Sequence, residues 1–172
     1  MKRHIVLIGL PGSGKTTVGR LVAERLQAGF VDIDAILARR EGKPITMIFA
    51  EKGEAAFREM ERKEMETALA NEAAVIAPGG GWAAQPGAIE QAKAQALVIY
   101  LRTRPETAAQ RAAPEGTRPL LLGEDPAERM RQLQREREPF YRNAHAQLDA
   151  DRKSAPQVAS EVVRLAQSSA GW

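Results

Sequence analysis

The chain has 172 residues, enough for one domain around one hydrophobic core. Its 44% hydrophobic and 27% charged residues are those of a globular protein, and no apolar stretch approaches the ~20 residues needed to span a bilayer. The net charge of +3 is carried by 18 arginines and 7 lysines with no basic block, and aromatics make up only 5%, which argues against nucleic-acid binding. There are no cysteines, so disulfides and thiolate metal sites are excluded and a reducing cytoplasm is the expected setting. The arginine excess has two readings: codon bias in an Ala/Arg/Glu-rich genome, or guanidinium groups facing phosphates or a carboxylate.

In chain order, the first element is an apolar strand at His4–Ile8. The basic residues before it faintly mimic a secretion signal. The apolar run is too short for one, and it leads into a glycine loop rather than a cleavage site. That loop, Gly9-Leu-Pro-Gly-Ser-Gly-Lys-Thr-Thr17, has the spacing G-x-x-x-x-G-K-[ST] between a strand and a helix expected at 15–27. Its physical logic is anion capture. Glycines let backbone N–H groups converge on phosphate, and the helix N-terminus aims its dipole at the same point. Gly12, Ser13, Gly14, Lys15, Thr16 and Thr17 are the nucleotide-binding candidates. Lys15 brings a charge to the β/γ-phosphates and the Thr16 hydroxyl can ligate Mg²⁺.

A second strand is expected at 29–33, and Asp32-Ile33-Asp34 closes it. Strand alternation would send both carboxylates the same way, one toward the Mg²⁺ shell and one toward an acceptor hydroxyl. The plain alternative is a helix cap at Asp34 beside a strand-end aspartate. Helices are expected at 34–41, 45–50 and 53–71. The last carries Phe57-Arg58-x-x-Glu61, in which Glu61 can fix the Arg58 guanidinium one turn away, or merely form a surface ion pair. A third strand at 74–77 runs into Pro78-Gly79-Gly80-Gly81. Three consecutive glycines permit a backbone path that hugs a ligand.

Then follow a helix at 86–94, a strand at 97–101 and a helix at 105–113 ending beside Arg111. Residues 112–125 have no periodicity and contain Arg118-Pro-Leu-Leu. A loop that long in a small domain beside a nucleotide site is expected to be a mobile lid. A helix at 126–143 carries Arg137-x-Pro-x-Tyr141. A weak strand at 147–150 and a helix at 155–168 complete the chain, and the tail 169–172 is expected to fray. Strands alternating with helices imply a parallel sheet covered on both faces, with ligands beyond the carboxyl ends of the strands. With no exposed heptad or spare apolar face, a monomer is expected.

Taken together, these motifs resemble the shikimate kinase family of nucleoside-monophosphate-kinase-like P-loop proteins. The likeness runs from about Ile5 to about Asp149 and includes Ile45-x-x-Ile48-Phe49, Gly53-Glu54-x-x-Phe57-Arg58-x-x-Glu61, the glycine triplet, Arg118-Pro-Leu-Leu and Arg137-x-Pro-x-Tyr141. It implies a single three-layer α/β/α domain over 1–172, with a five-stranded parallel sheet in the order 2-3-1-4-5. An acceptor region would span about 33–61. It implies transfer of the ATP γ-phosphate to the 3-hydroxyl of shikimate in aromatic amino acid biosynthesis, giving ADP. Lys15, Asp34 and Arg118 would be catalytic. Arg58, Gly79, Gly80, Gly81 and Arg137 would bind shikimate, walled by Phe49 and Phe57. Thr16 and Asp32 would hold Mg²⁺, and Arg111 would flank the adenine.

One departure is Trp82, where the family continues with small or β-branched residues. A tryptophan there either packs under the loop or reshapes the pocket toward another acid such as quinate or gluconate. A nucleotide-dependent switch would instead show a strand ending in a magnesium-binding aspartate after a partner-binding insertion. The third strand here ends Ala77-Pro78-Gly79.

Overall fold

The computed structural model describes residues 1–112 and 125–172. Most of the expected lid, with Arg118, lies outside the described residues.

The sheet is built outward from β1 (His4–Ile8), which is buried at every position. Such a continuous apolar run is what a central parallel strand needs, because helices cover both of its faces. β1 pairs in parallel with β3 (Ala74–Ala77) on one side and β4 (Ala96–Arg102) on the other. β2 (Gly29–Asp32) and β5 (Ala146–Asp149) form the edges, giving the order β2-β3-β1-β4-β5. The expected parallel sheet and its order are both present.

Successive side chains of β1 and β4 enter two different cores, as the two-residue strand period requires. Ile5, Leu7, Leu97, Ile99 and Leu101 pack with α1 (Lys15–Leu26) and α8 (Ala155–Ser169). Val6, Ile8, Val98 and Tyr100 pack on the other face with residues of α2 (Ile33–Glu41), α3 (Ile45–Lys52), α4 (Glu54–Ala70), α5 (Ala88–Ala92), α6 (Pro105–Ala112) and α7 (Pro126–Tyr141).

Two expectations fail for physical reasons. The strand expected to reach Ile33 stops at Asp32, because Asp32 caps α2: its Oδ1 accepts from the Ala35 N–H at 3.1 Å. Ile33 becomes a fully buried helical residue. Asp34 is therefore in the first turn of α2, neither cap nor strand. The tail does not fray either. Trp172 Nε1 donates to the Arg3 carbonyl at 2.8 Å, the Lys2 ammonium lies 4.6 Å from the Trp172 ring, and Arg3 N–H donates to Ala170. An indole with a hydrogen-bond partner and an apolar neighbour stays docked.

Candidate active site

The strand β1 delivers the chain into the glycine loop. No side chain caps the first turn of α1, so its N-terminal N–H groups face the loop interior. Gly12 has φ +80°, and a Cβ there would run into the Ala108 carbonyl of α6. Only glycine fits. Lys15 Nζ donates to the Gly9 and Leu10 carbonyls at 2.8 and 2.9 Å, curling its charge over the loop. Ser13 is buried with its hydroxyl unpartnered inside the same loop. Thr16 and Thr17 are exposed at the start of α1. The Thr16 hydroxyl donates to Asp32 Oδ2 at 3.3 Å, bringing one hydroxyl and one carboxylate oxygen together beside the loop.

Asp32 and Asp34 do not point to the same neighbour, contrary to the alternation argument. The strand ends at Asp32 and Asp34 lies in the first turn of α2, so strand alternation does not relate them. Asp34 turns instead toward Glu61 of α4 at the glycine triplet. A Cβ on Gly79 would overlap the Glu61 carboxyl and come within 2.6 Å of Asp34 Oδ2. Glu61 is wholly buried. Burial, and then the charge of Asp34, push its pKa well above the usual carboxylate range despite the Arg58 cation. Asp34 Oδ1 and Glu61 Oε2 are both buried and meet no N–H or hydroxyl donor, and a proton held on Glu61 lets the two carboxyls hydrogen-bond to each other.

The Arg58–Glu61 pair is no surface contact. Arg58 Nη1 meets Glu61 Oε1 at 2.6 Å, and Glu54 lies 3.3 Å from Nη2. Burial opposes the guanidinium charge, yet these two carboxylates carry its pKa above the ordinary value. Phe49 and Phe57, with ring centroids 4.9 Å apart, both lie 5.6 Å from the Arg58 guanidinium carbon. A Cβ on Gly81 would overlap that guanidinium. On Gly80 it would come within 2.7 Å of Arg137 Nη1 and 2.8 Å of the Gly9 carbonyl. The triplet therefore threads between both arginines and touches the glycine loop.

Arg58, Gly81 and Arg137 border a cavity of about 300 Å³, together with Glu54, Arg129 and Phe140. Among the described lining residues are neither Phe49 nor Phe57. They pack beneath Arg58 rather than walling the cavity. Trp82 does not line it either. It is 5% exposed and belongs to the core, and it borders an adjoining cavity of about 790 Å³ between α4 and α5 that shares Glu54, Arg58 and Gln85 with the first. Arg111 is remote from this cavity. Its Nη1 donates to the Ala150 carbonyl at 3.1 Å, just past β5.

Sequence reasoning missed Arg129. Its signal was present: Arg129, Leu133, Arg137 and Tyr141 recur every four residues along α7, so they share one helix face. It also gave Tyr141 no role.

A family model described as shikimate kinase matches residues 11–167. The chain belongs to the shikimate kinase family. It is 40% identical to a shikimate kinase of Caldanaerobacter subterraneus subsp. tengcongensis over 94% of this chain and 95% of that one. It is 43% identical to a shikimate kinase of Moorella thermoacetica over 94% and 93%. The solved shikimate kinase from Acinetobacter baumannii in complex with shikimate superposes with a TM-score of 0.92 at 36% identity, covering 98% of this chain and 94% of that one. As a shikimate kinase family member the chain is an ATP-dependent phosphotransferase of aromatic amino acid biosynthesis. Among the described residues, no helix is long and apolar enough to cross a membrane.

Proposed function

We propose that the two halves of this site act together to move the ATP γ-phosphate to the 3-hydroxyl of shikimate, with Mg²⁺ on the donor side. One observation carries the reading: the buried glycine triplet touches Asp34, Arg58, Arg137 and the Gly9 carbonyl at once. An acceptor held there lies beside the phosphate loop.

On the donor side, the loop amides, the Ser13 hydroxyl and Lys15 hold the phosphates. The Thr16 hydroxyl and Asp32 carboxylate supply two hard oxygens 3.3 Å apart. This donor set fits Mg²⁺, which takes one or two protein oxygens and completes its shell with phosphate and water. When bound, the ion neutralises charge on the β- and γ-phosphates.

On the acceptor side, Arg58 and Arg137 grip the shikimate carboxylate as planar forks, and Gly79–Gly81 let the ring approach the backbone. Asp34 accepts the proton of the 3-hydroxyl. A bond forms from that oxygen to the γ-phosphorus while the bond from the γ-phosphorus to the β–γ bridging oxygen breaks, and ADP leaves. The transition state is loose, so positioning and charge stabilisation matter more than the strength of the base. Arg118 serves as the lid cation, and Arg111 flanks the adenine. Both halves come from one chain, so a monomer suffices. Trp82 borders the adjoining cavity that shares Arg58 with the acceptor cavity, so acceptor preference is read by comparing acids.

The test is a coupled ADP-release assay with ATP, Mg²⁺ and, in parallel, shikimate, quinate and gluconate. Saturable turnover with shikimate in clear preference is expected. Turnover no higher than the acceptor-free rate, or preference for another acid, would overturn the reading.

A further inference from the structure

Tyr141 is fully buried one helical turn beyond Arg137 on α7. Its hydroxyl donates to the Gly80 carbonyl at 2.9 Å and lies 3.3 Å from the Gly9 carbonyl. A phenol has one proton, so two carbonyls share it and the nearer one holds more of it. The Gly9 carbonyl also receives the Lys15 ammonium at 2.8 Å. The hydroxyl thus meets the first carbonyl of the phosphate loop, which also holds the loop's lysine, the Gly80 carbonyl of the glycine triplet, and Arg137 of its own helix.

We propose that Tyr141 is a positioning residue that ties the Gly80 peptide to the Gly9 carbonyl, so that acceptor affinity responds to the nucleotide. The inference rests on the ATP and shikimate assignments above. Three consecutive glycines have little preference for which way a peptide faces. A buried carbonyl needs a donor. Tyr141 supplies it and so selects one orientation of the triplet.

The hydroxyl itself cannot wander. The Tyr141 ring packs on that of Tyr100 with centroids 5.0 Å apart. Tyr100 pairs with Ile8 across the sheet and donates its own hydroxyl to Glu138 of α7. Burial also pushes the Tyr141 pKa up, which keeps the phenol neutral and able to donate. When Lys15 turns toward a triphosphate, the Gly9 carbonyl gives up its ammonium and takes a larger share of the Tyr141 proton. Gly80 then loses part of its donor, and the peptide next to Arg137 and Arg58 re-orients.

Only two tyrosines are present, Tyr100 and Tyr141, so 3-fluorotyrosine labelling gives two ¹⁹F resonances, assigned with Tyr100→Phe. The Tyr141 resonance is expected to move on adding ADP with Mg²⁺, and again on adding shikimate. Calorimetry of shikimate with and without ADP should give a several-fold affinity ratio in the unmodified protein. Tyr141→Phe should bring that ratio to within about twofold of one and raise the shikimate KM about 5- to 10-fold. Tyr100→Phe serves for assignment alone, because its hydroxyl bond to Glu138 belongs to the same anchor. A Tyr141 resonance indifferent to both ligands, a ratio of one in the unmodified protein, or a Tyr141→Phe protein with an unchanged ratio would each overturn the proposal. If Tyr141→Phe does not fold, the ¹⁹F response of the unmodified protein decides. Absence of shikimate turnover would instead count against the functional reading, and the response to ADP alone still reports on the Gly9 contact.

Discussion

The phosphate loop of the proposed donor half is one continuous stretch, residues 9–17, joined by Asp32 at the end of β2 and Arg111 on α6, while the proposed acceptor half is gathered from α2, α4, the 78–81 loop and α7. The phosphate loop needs little beyond its own backbone: a strand, a turn with Gly12 at φ +80° and a helix start. The acceptor half needs buried props. Glu61 fixes Arg58 from a wholly buried position, and Tyr141 holds Gly80. A backbone site is insensitive to most side-chain changes but intolerant of a Cβ. A side-chain site can be dismantled one prop at a time, and each prop has its own kinetic signature.

Asp34 lies where the halves meet, so its removal should give the largest effect. Asp34→Ala is expected to lower kcat by about 10²–10⁴ with small changes in either KM. A loss confined to acceptor KM would make Asp34 a binding group only. Lys15→Ala comes next, with kcat down on the order of 10²–10³; because it also takes the ammonium off the Gly9 carbonyl, its shikimate Kd without nucleotide should move only several-fold, toward the value the unmodified protein shows with ADP. Loss of shikimate binding in that variant would blur the division.

Arg58→Ala should do the reverse. The acceptor KM rises about 10–100-fold, while ATP binding, followed by calorimetry with ADP, stays nearly intact. Equal losses for both substrates would contradict the separation. The smallest effect concerns the prop beneath Arg58. Glu61 has a raised pKa in the folded protein, so the native state binds its proton more tightly than the unfolded chain does. That contribution to stability is complete below the ordinary glutamate range and is lost as pH rises through the raised value. Glu61→Gln cannot titrate. Its melting temperature relative to the unmodified protein should therefore climb as pH rises above about 4.5. A difference that is flat with pH would mean that Glu61 is ionised throughout, held by Arg58.

The same division explains what was legible in the sequence. The strands at β1 and β3 could be read to the residue, because each is a continuous apolar run stopped by a breaker, Gly9 or Pro78. The phosphate loop could be read because its chemistry is local. On the acceptor side the residues alone favoured a bland surface pair for Arg58 and Glu61. Only the resemblance raised them, since burial of Glu61 depends on how α4 meets α2 and the glycine triplet. The Asp32–Asp34 geometry was misread because a side-chain cap ended β2 one residue early. The docked tail was missed because its partner, Arg3, is at the opposite end of the sequence. Trp82 carried an ambiguity that pattern could not remove: it sits in the core, yet it borders a cavity that shares Arg58 with the arginine-lined one.

The central claim is that both halves converge on a single oxygen, the 3-hydroxyl of shikimate. A ¹H–³¹P correlation spectrum of the product made from ATP, Mg²⁺ and shikimate tests it most directly. A phosphorus resonance coupled to the proton on carbon 3 is the result predicted. Coupling to another ring position, or inorganic phosphate as the sole new phosphorus species besides ADP, would contradict it.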